Sequence, residues 1–428
     1  VIGCVSCNKF SRFRQNILSM QQRCVGYVCV TSRRGRMTQC KKLLSMLLLI
    51  SVTPTWQLQP HAAEATAHSR CEAAFPVAWR SLRHRRRRTV TYICDRRRSP
   101  CGGLGDRMAG IIDVIAYALV TNRTLLIDDS ALLTAFAARH NHSGQQENAA
   151  NDSITRSCRG QLLGCKWLQQ DQPETHVAVF GANRCELCKW LRVSHSAWGP
   201  RLRQLGFSTA NVPLAASCLL HAALSPRAHV LNRVAEWLAG APPWIGVHAR
   251  AMQLHAVGER GGHGHSREMV TCAAEAAIAA VGNRSTRTGA VVLGDAPAAA
   301  REIENKLRAG GGVFSAVIDS PSMPCHVDGD AKNAAACMLA AATDWLGFAM
   351  ARVHITASGS GGHMQYRSSG FALYGAVWGL AAHADADADG GGGSPLDLRK
   401  AAPRDGLVNG SCSVRAVDLR ATDGSWLC

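Results

Sequence analysis

The chain has 428 residues, 47% of them apolar, with 48 Lys and Arg against 30 Asp and Glu. That length and apolar content give room for two cored domains and exclude a disordered or collagen-like chain. The net charge of +18 is uneven: residues 1–100 hold 19 Lys/Arg and 3 Asp/Glu, the remainder 29 and 27, so the folding part is nearly neutral and no specific nucleic-acid partner is expected.

In chain order, residues 1–36 read as an upstream extension, because the chain opens with Val1 rather than Met and the leader-like segment begins at Met37. From there Lys41-Lys42, the apolar run Leu43–Val52 and the small-residue pattern Ala63-Glu64-Ala65 make residues 37–65 a signal peptide or short signal anchor. Such a run is short of the roughly 20 residues that span a bilayer. Residues 66–88 read as a basic stalk, whose run Arg83-His84-Arg85-Arg86-Arg87-Arg88 either stays solvated or contacts polyanions. Asn-x-Ser/Thr sequons at Asn122, Asn141, Asn151, Asn283 and Asn409, and 13 cysteines beyond the leader, fit a secretory-pathway lumen, with most cysteines paired. Asn122 is expected to abut buried structure. Cys185-x-x-Cys188, with no second such pair beyond the leader, reads as a structural disulfide.

Residues 89–240 form the first expected α/β domain. Thr89–Cys94 is a strand. Cys101-Gly102-Gly103-Leu104-Gly105-Asp106-Arg107 is a tight loop, and Met108, Ile111, Ile112, Ile115, Ala116 and Leu119 mark one apolar helix face. Strands follow at Thr124–Ile127 and Val177–Phe180. After Ala241-Pro242-Pro243 a second series, residues 241–383, alternates strands at 244–248, 290–293, 313–318 and 353–356 with Ala-rich helices at 267–281, 298–309, 331–350 and 369–382. Such alternation predicts parallel sheets, and two such halves place a ligand cleft between them, at the carboxyl ends of the strands. Residues 384–428 read as a low-complexity linker and Cys-containing tail. His383, Asp385, Asp387 and Asp389 before a glycine run, and His263 with His265, lack the rigid spacing of a metal site.

Three strand ends carry candidate chemistry. Gly103, Gly105, Asp106 and Arg107 open a helix whose first N–H groups suit an anion. His248 and Arg250, two apart on a strand, share a face, and an arginine fork suits a diphosphate. Ser358, Gly359 and Ser360 follow another strand as a second anion cradle, and Asp295 ends a third, where it either grips a ribose or caps the next helix. Asp128 also lies where a dinucleotide oxidoreductase would carry its ribose acid, although Gly110 departs from that spacing.

The order Gly-Gly-Leu-Gly-Asp-Arg (102–107), Gly-Val-His-Ala-Arg (246–250), strand-Asp295, Asp344-Trp345 and Ser-Gly-Ser-Gly (358–361) resembles the GDP-fucose-dependent fucosyltransferases: protein O-fucosyltransferases, core α-1,6-fucosyltransferases and xyloglucan fucosyltransferases. The resemblance covers about 89–382. It implies a GT-B-like fold of two Rossmann-like domains facing a central cleft. It also implies inverting, metal-independent transfer of fucose from GDP-fucose to a glycan or protein hydroxyl. By motif, Arg250 would contact the β-phosphate and act as the catalytic residue, with His248 beside the nucleotide. Asp295 would read ribose or guanine, and Ser358, Gly359 and Ser360 would hold phosphate or base. Gly103, Gly105, Asp106 and Arg107 would face the donor from the first domain. Asp106 stands where several branches carry Asn, and Ala251-Met252-Gln253 replaces their further polar residues. No spacing marks a general base, Glu259 and Asp344 being the nearest candidates. A binding protein without turnover on the same fold is the alternative.

Overall fold

The computed structural model describes residues 59–84, 86–94, 101–139, 153–157, 168, 170–180, 187–193, 196–238, 243–250, 262–281, 288–294, 297–310, 314–319, 333–359, 370–382 and 412–418. The chain divides into two compact units, Val1–Pro54 and Thr55–Cys428, and every described residue belongs to the second. Residues 37–58 of the expected leader lie outside the described residues, whereas the expected cleavage motif Ala63-Glu64-Ala65 lies within a helix, Gln59–Ala74, in which Glu64 pairs with Arg139. Among the described residues no helix is long and apolar enough to cross a membrane.

The first half comprises α1 (Gln59–Ala74), α2 (Pro76–Arg83), β1 (Thr89–Ile93), α3 (Leu104–Val120), β2 (Thr124–Asp128), α4 (Leu132–Ala135), β3 (Phe136–Ala138), β4 (Ser153–Ser157), β5 (His176–Phe180), α5 (Leu187–Arg192), α6 (Gly199–Gln204), α7 (Val212–Ala223), β6 (Leu224–Pro226) and α8 (Ala228–Trp237). Strands β2-β1-β5-β4 form a four-stranded parallel sheet in that order. The second half comprises β7 (Pro243–Arg250), α9 (Gly262–Val281), β8 (Thr288–Gly294), α10 (Pro297–Ala309), β9 (Phe314–Asp319), α11 (Ala334–Ala349), β10 (Val353–Gly359), α12 (Gly370–Ala382) and β11 (Cys412–Asp418). Its sheet runs β11-β10-β7-β8-β9, parallel except for the antiparallel edge strand β11. The fold class is therefore the expected one, α/β with a parallel sheet in each half.

The expected strands and helices fall within a few residues of the observed ones, because the buried strands are short apolar runs. The structure differs in four places. First, residues 66–88 are not a free stalk. Helices α1 and α2 bury Ala67, Cys71, Phe75, Ala78 and Trp79 in the main core, and Cys71 is bridged to Cys218 of α7. Second, the basic run is partly taken up by contacts within the chain, at its surface. Arg88 pairs with Asp171 at 3.0 Å, the Arg86 amide donates to Thr124 Oγ1 at 2.7 Å, and Arg83 meets Glu72 at 3.6 Å. Third, the tail contributes β11, while residues 384–411 lie outside the described residues. Fourth, the division at residue 240 separates the sheets but not the cores. Helices α11 and α12 pack against α1, α3, α4, α7 and α8 of the first half, so Trp345, Phe348 and Trp378 share a core with Ile111 and Leu219. This also explains why α3 is buried on every side from Arg107 to Val120 rather than on one face: its second face is covered by α7 and α12.

Asn122 is exposed and takes φ 56° just past α3, while its neighbours Arg123 and Thr124 are buried. Cys94 is bridged to Cys101, and Cys188, Cys272 and Cys337 are also disulfide-bonded; Cys185 lies outside the described residues. His263 and His265 fall in the first turn of α9.

Candidate functional site

The carboxyl ends of β7, β8 and β10 meet at one edge of the second sheet. His248 is in register with Thr356, Arg250 with Ser358, and Ala249 with Gly294, the last residue of β8. Arg250 and Ser358 are thus neighbours at the strand ends. Asp295 follows Gly294 directly, and Asp295 and Ser360 lie outside the described residues. Gly359 ends β10 opposite Cys412 of β11.

His248 is 6% exposed. Its ring stacks on Phe371 at 5.3 Å between centroids, with 25° between planes, and meets Phe348 edge-on at 6.4 Å. Phe371 belongs to the first turn of α12, and its carbonyl accepts the indole N–H of Trp345 at 3.0 Å. No expectation from sequence had assigned Phe371 to the site. The only signal was an aromatic residue shortly after the Ser-Gly-Ser-Gly stretch.

The glycine loop reaches the same turn. A Cβ on Gly105 would stand 2.2 Å from the Gly370 carbonyl carbon and 2.4 Å from the Phe371 amide nitrogen, so α3 and α12 touch backbone to backbone there. Gly102 takes φ 76°, which an L side chain rarely adopts, and a Cβ would also strike Asp106. Gly103 is the N-cap of α3, with open space where a Cβ would be. Asp106 is exposed and accepts the Gly103 amide at 3.1 Å, an N-terminal cap of α3. Gly103, Gly105 and Asp106 therefore lie in one turn, joined to His248 through Gly370 and Phe371.

Arg107 has a different environment from the anion-facing one expected of it. Its side chain is 1% exposed and bonds the carboxylate of Asp129, itself 2% exposed. Its Nε donates to the Gly102 carbonyl at 3.2 Å, and Nη1 lies 2.8 Å from Cys94 Sγ. The guanidinium points into the protein beneath the loop. Asp344 sits on α11, half-buried, and Glu259 lies outside the described residues.

A second polar cluster lies elsewhere. Glu64 of α1 accepts from Arg139 at 2.5 Å, with His68 Nε2 at 3.4 Å and His221 Nδ1 at 3.2 Å. Burial alone would raise the Glu64 pKa, but the adjoining His221 and His68 rings and the charge of Arg139 hold it well below the usual carboxylate range. A cavity of about 20 Å³ adjoins Glu64, His221 and Trp378.

No protein-family model matches the chain, and no curated protein matches it in sequence. Among solved structures the chain is similar to that of a FUT1 mutant from Arabidopsis thaliana in complex with GDP, at 13% identity and a TM-score of 0.47, over 76% of this chain and 78% of that one.

Proposed function

We propose that the protein is a glycosyltransferase that moves fucose from GDP-fucose to a glycan or protein hydroxyl. The observation that carries this reading is the register of β7 against β10. It sets Arg250 beside Ser358 at the strand ends, with the glycine loop joined to His248 through Gly105, Gly370 and Phe371. Parallel α/β sheets bind ligands at that edge.

The chemistry follows from the charge that develops. As the bond between the fucose anomeric carbon and the β-phosphate oxygen breaks, its electron pair leaves with GDP, the acceptor oxygen bonds to carbon from the opposite face, and the acceptor hydroxyl's proton passes to water or to the departing phosphate. Arg250 would stabilise the growing phosphate charge, and losing one such preorganised donor costs about 10²–10³ in rate. The hydroxyls of Ser358 and Ser360 and the backbone at Gly359 would hold the diphosphate or base. Asp295 would bind ribose or guanine, and His248, fixed by Phe371, would flank the nucleotide. Gly103, Gly105 and Asp106 would form the opposite wall. A loose transition state asks little of a general base. We further propose that the protein works in the oxidising lumen of the secretory pathway, a reading supported by the Cys71–Cys218 and Cys94–Cys101 bridges.

Purified protein incubated with labelled GDP-fucose and a panel of glycans and folded glycoproteins is expected to release GDP and label an acceptor. GDP binding without donor turnover would favour a binding protein, and stabilisation by NAD rather than GDP would favour the oxidoreductase reading.

A further inference from the structure

Arg107 occupies the most constrained position in the glycine loop. Among the described residues its guanidinium meets Asp129 just beyond β2, the Gly102 carbonyl within the loop, and the sulfur of Cys94 at the end of β1. The disulfide from Cys94 to Cys101 ties the start of the loop to β1. Asp129 is itself fixed, its Oδ1 accepting the Leu132 amide at 3.0 Å. From the solvent side Asp106 holds the Gly103 amide. An arginine awaiting a phosphate keeps part of its fork in water. This one is enclosed, and swinging it outward would strand the Asp129 carboxylate in the interior, a strongly unfavourable state.

We propose that Arg107 is a positioning residue: paired with Asp129, it supports the Gly102–Asp106 loop from beneath and sets the direction of the loop amides, without touching the ligand itself. The proposal rests on the nucleotide-cleft reading for its functional consequence, but its structural content stands apart from that reading. The ion pair is a scaffold whose product is the shape of one loop.

The test uses two variants. In Arg107→Met/Asp129→Leu both buried charges are removed together and apolar volume is kept, a change that buried ion pairs commonly tolerate. In Arg107→Lys the charge remains opposite Asp129, but the fork that also reaches Gly102 is lost. Melting temperature, amide hydrogen exchange across residues 101–106 and GDP affinity by calorimetry are read for each. The expected result is cooperative melting, exchange of the loop amides faster by about tenfold or more, and GDP affinity weaker by roughly 10–100-fold. Exchange that stays at the wild-type rate in a folded variant would overturn the proposal. If GDP affinity falls while exchange is unchanged, Arg107 is a ligand of the nucleotide and the proposal fails. If the double variant does not fold, Arg107→Lys carries the same readouts. If the wild-type protein binds no GDP, the nucleotide reading fails, and loop exchange alone still decides the positioning role.

Discussion

The ring of Phe371 lies against the ring of His248, 5.3 Å away and 25° from parallel, while one residue earlier Gly370 touches the backbone of Gly105. One helix turn therefore joins the strand-end histidine of the second sheet to the glycine loop of the first half. Phe371→Ala should loosen His248 and raise the donor KM several-fold. The aromatic contact itself is worth about 0.5–1.5 kcal/mol, so the fold should survive. Phe371→Tyr keeps a ring of the same shape and should restore most of the affinity. Steady-state kinetics of the three proteins checks this, and an unchanged KM in Phe371→Ala would separate Phe371 from the site.

Gly105→Ala puts a methyl carbon 2.2 Å from the Gly370 backbone, where no flexible side chain can yield. The helices must part, at a cost of about 1–3 kcal/mol. Urea unfolding should show a lower midpoint with a similar slope. Gly103→Ala, with open space at its Cβ, should be close to neutral for stability.

Glu64 predicts a pH dependence. Its folded pKa is depressed below the ordinary value of 4.5, so its contribution to stability is fully present above that value and is lost as pH falls below it. Glu64→Gln should lower the melting temperature at pH 7 and flatten the acid limb below about pH 4.5. Melting curves from pH 3 to pH 7 on both proteins measure this. An acid limb of equal slope in the variant would contradict the assignment.

The same residue bears on processing. Removal of the chain up to Ala65 would delete Glu64 and leave Arg139, His68 and His221 without their common carboxylate. The mature protein should therefore begin before Gln59, and N-terminal sequencing of the protein recovered from secreting cells checks it. A start at Thr66 in a fully folded product would show that Glu64 and the first two turns of α1 are dispensable.

Much of the frame was legible in the sequence, and the reasons for the rest are specific. Buried parallel strands such as Ile245–Ala249 and Ala290–Leu293 announce themselves as apolar runs. Helix α1, rich in Ala and His, has no apolar stripe to mark it, and α2 conceals Trp79 among arginines. β11 gains its meaning only from β10, some fifty residues upstream. The strand ends at Arg250 and Ser358 were readable because apolar runs stop there. The inward turn of Arg107 was not, since a Gly-Asp-Arg loop reads the same whichever way the guanidinium points. Its partner Asp129 looks, in sequence, like any residue after a strand.

Titration of the purified protein with GDP, in parallel with Arg250→Ala, tests the central claim most directly. The account predicts saturable one-site binding that weakens by about tenfold or more in the variant, roughly 1.4 kcal/mol or above, with the melting temperature of the free protein unchanged. Absence of GDP binding in the wild-type protein, or equal affinity in the two, would contradict it.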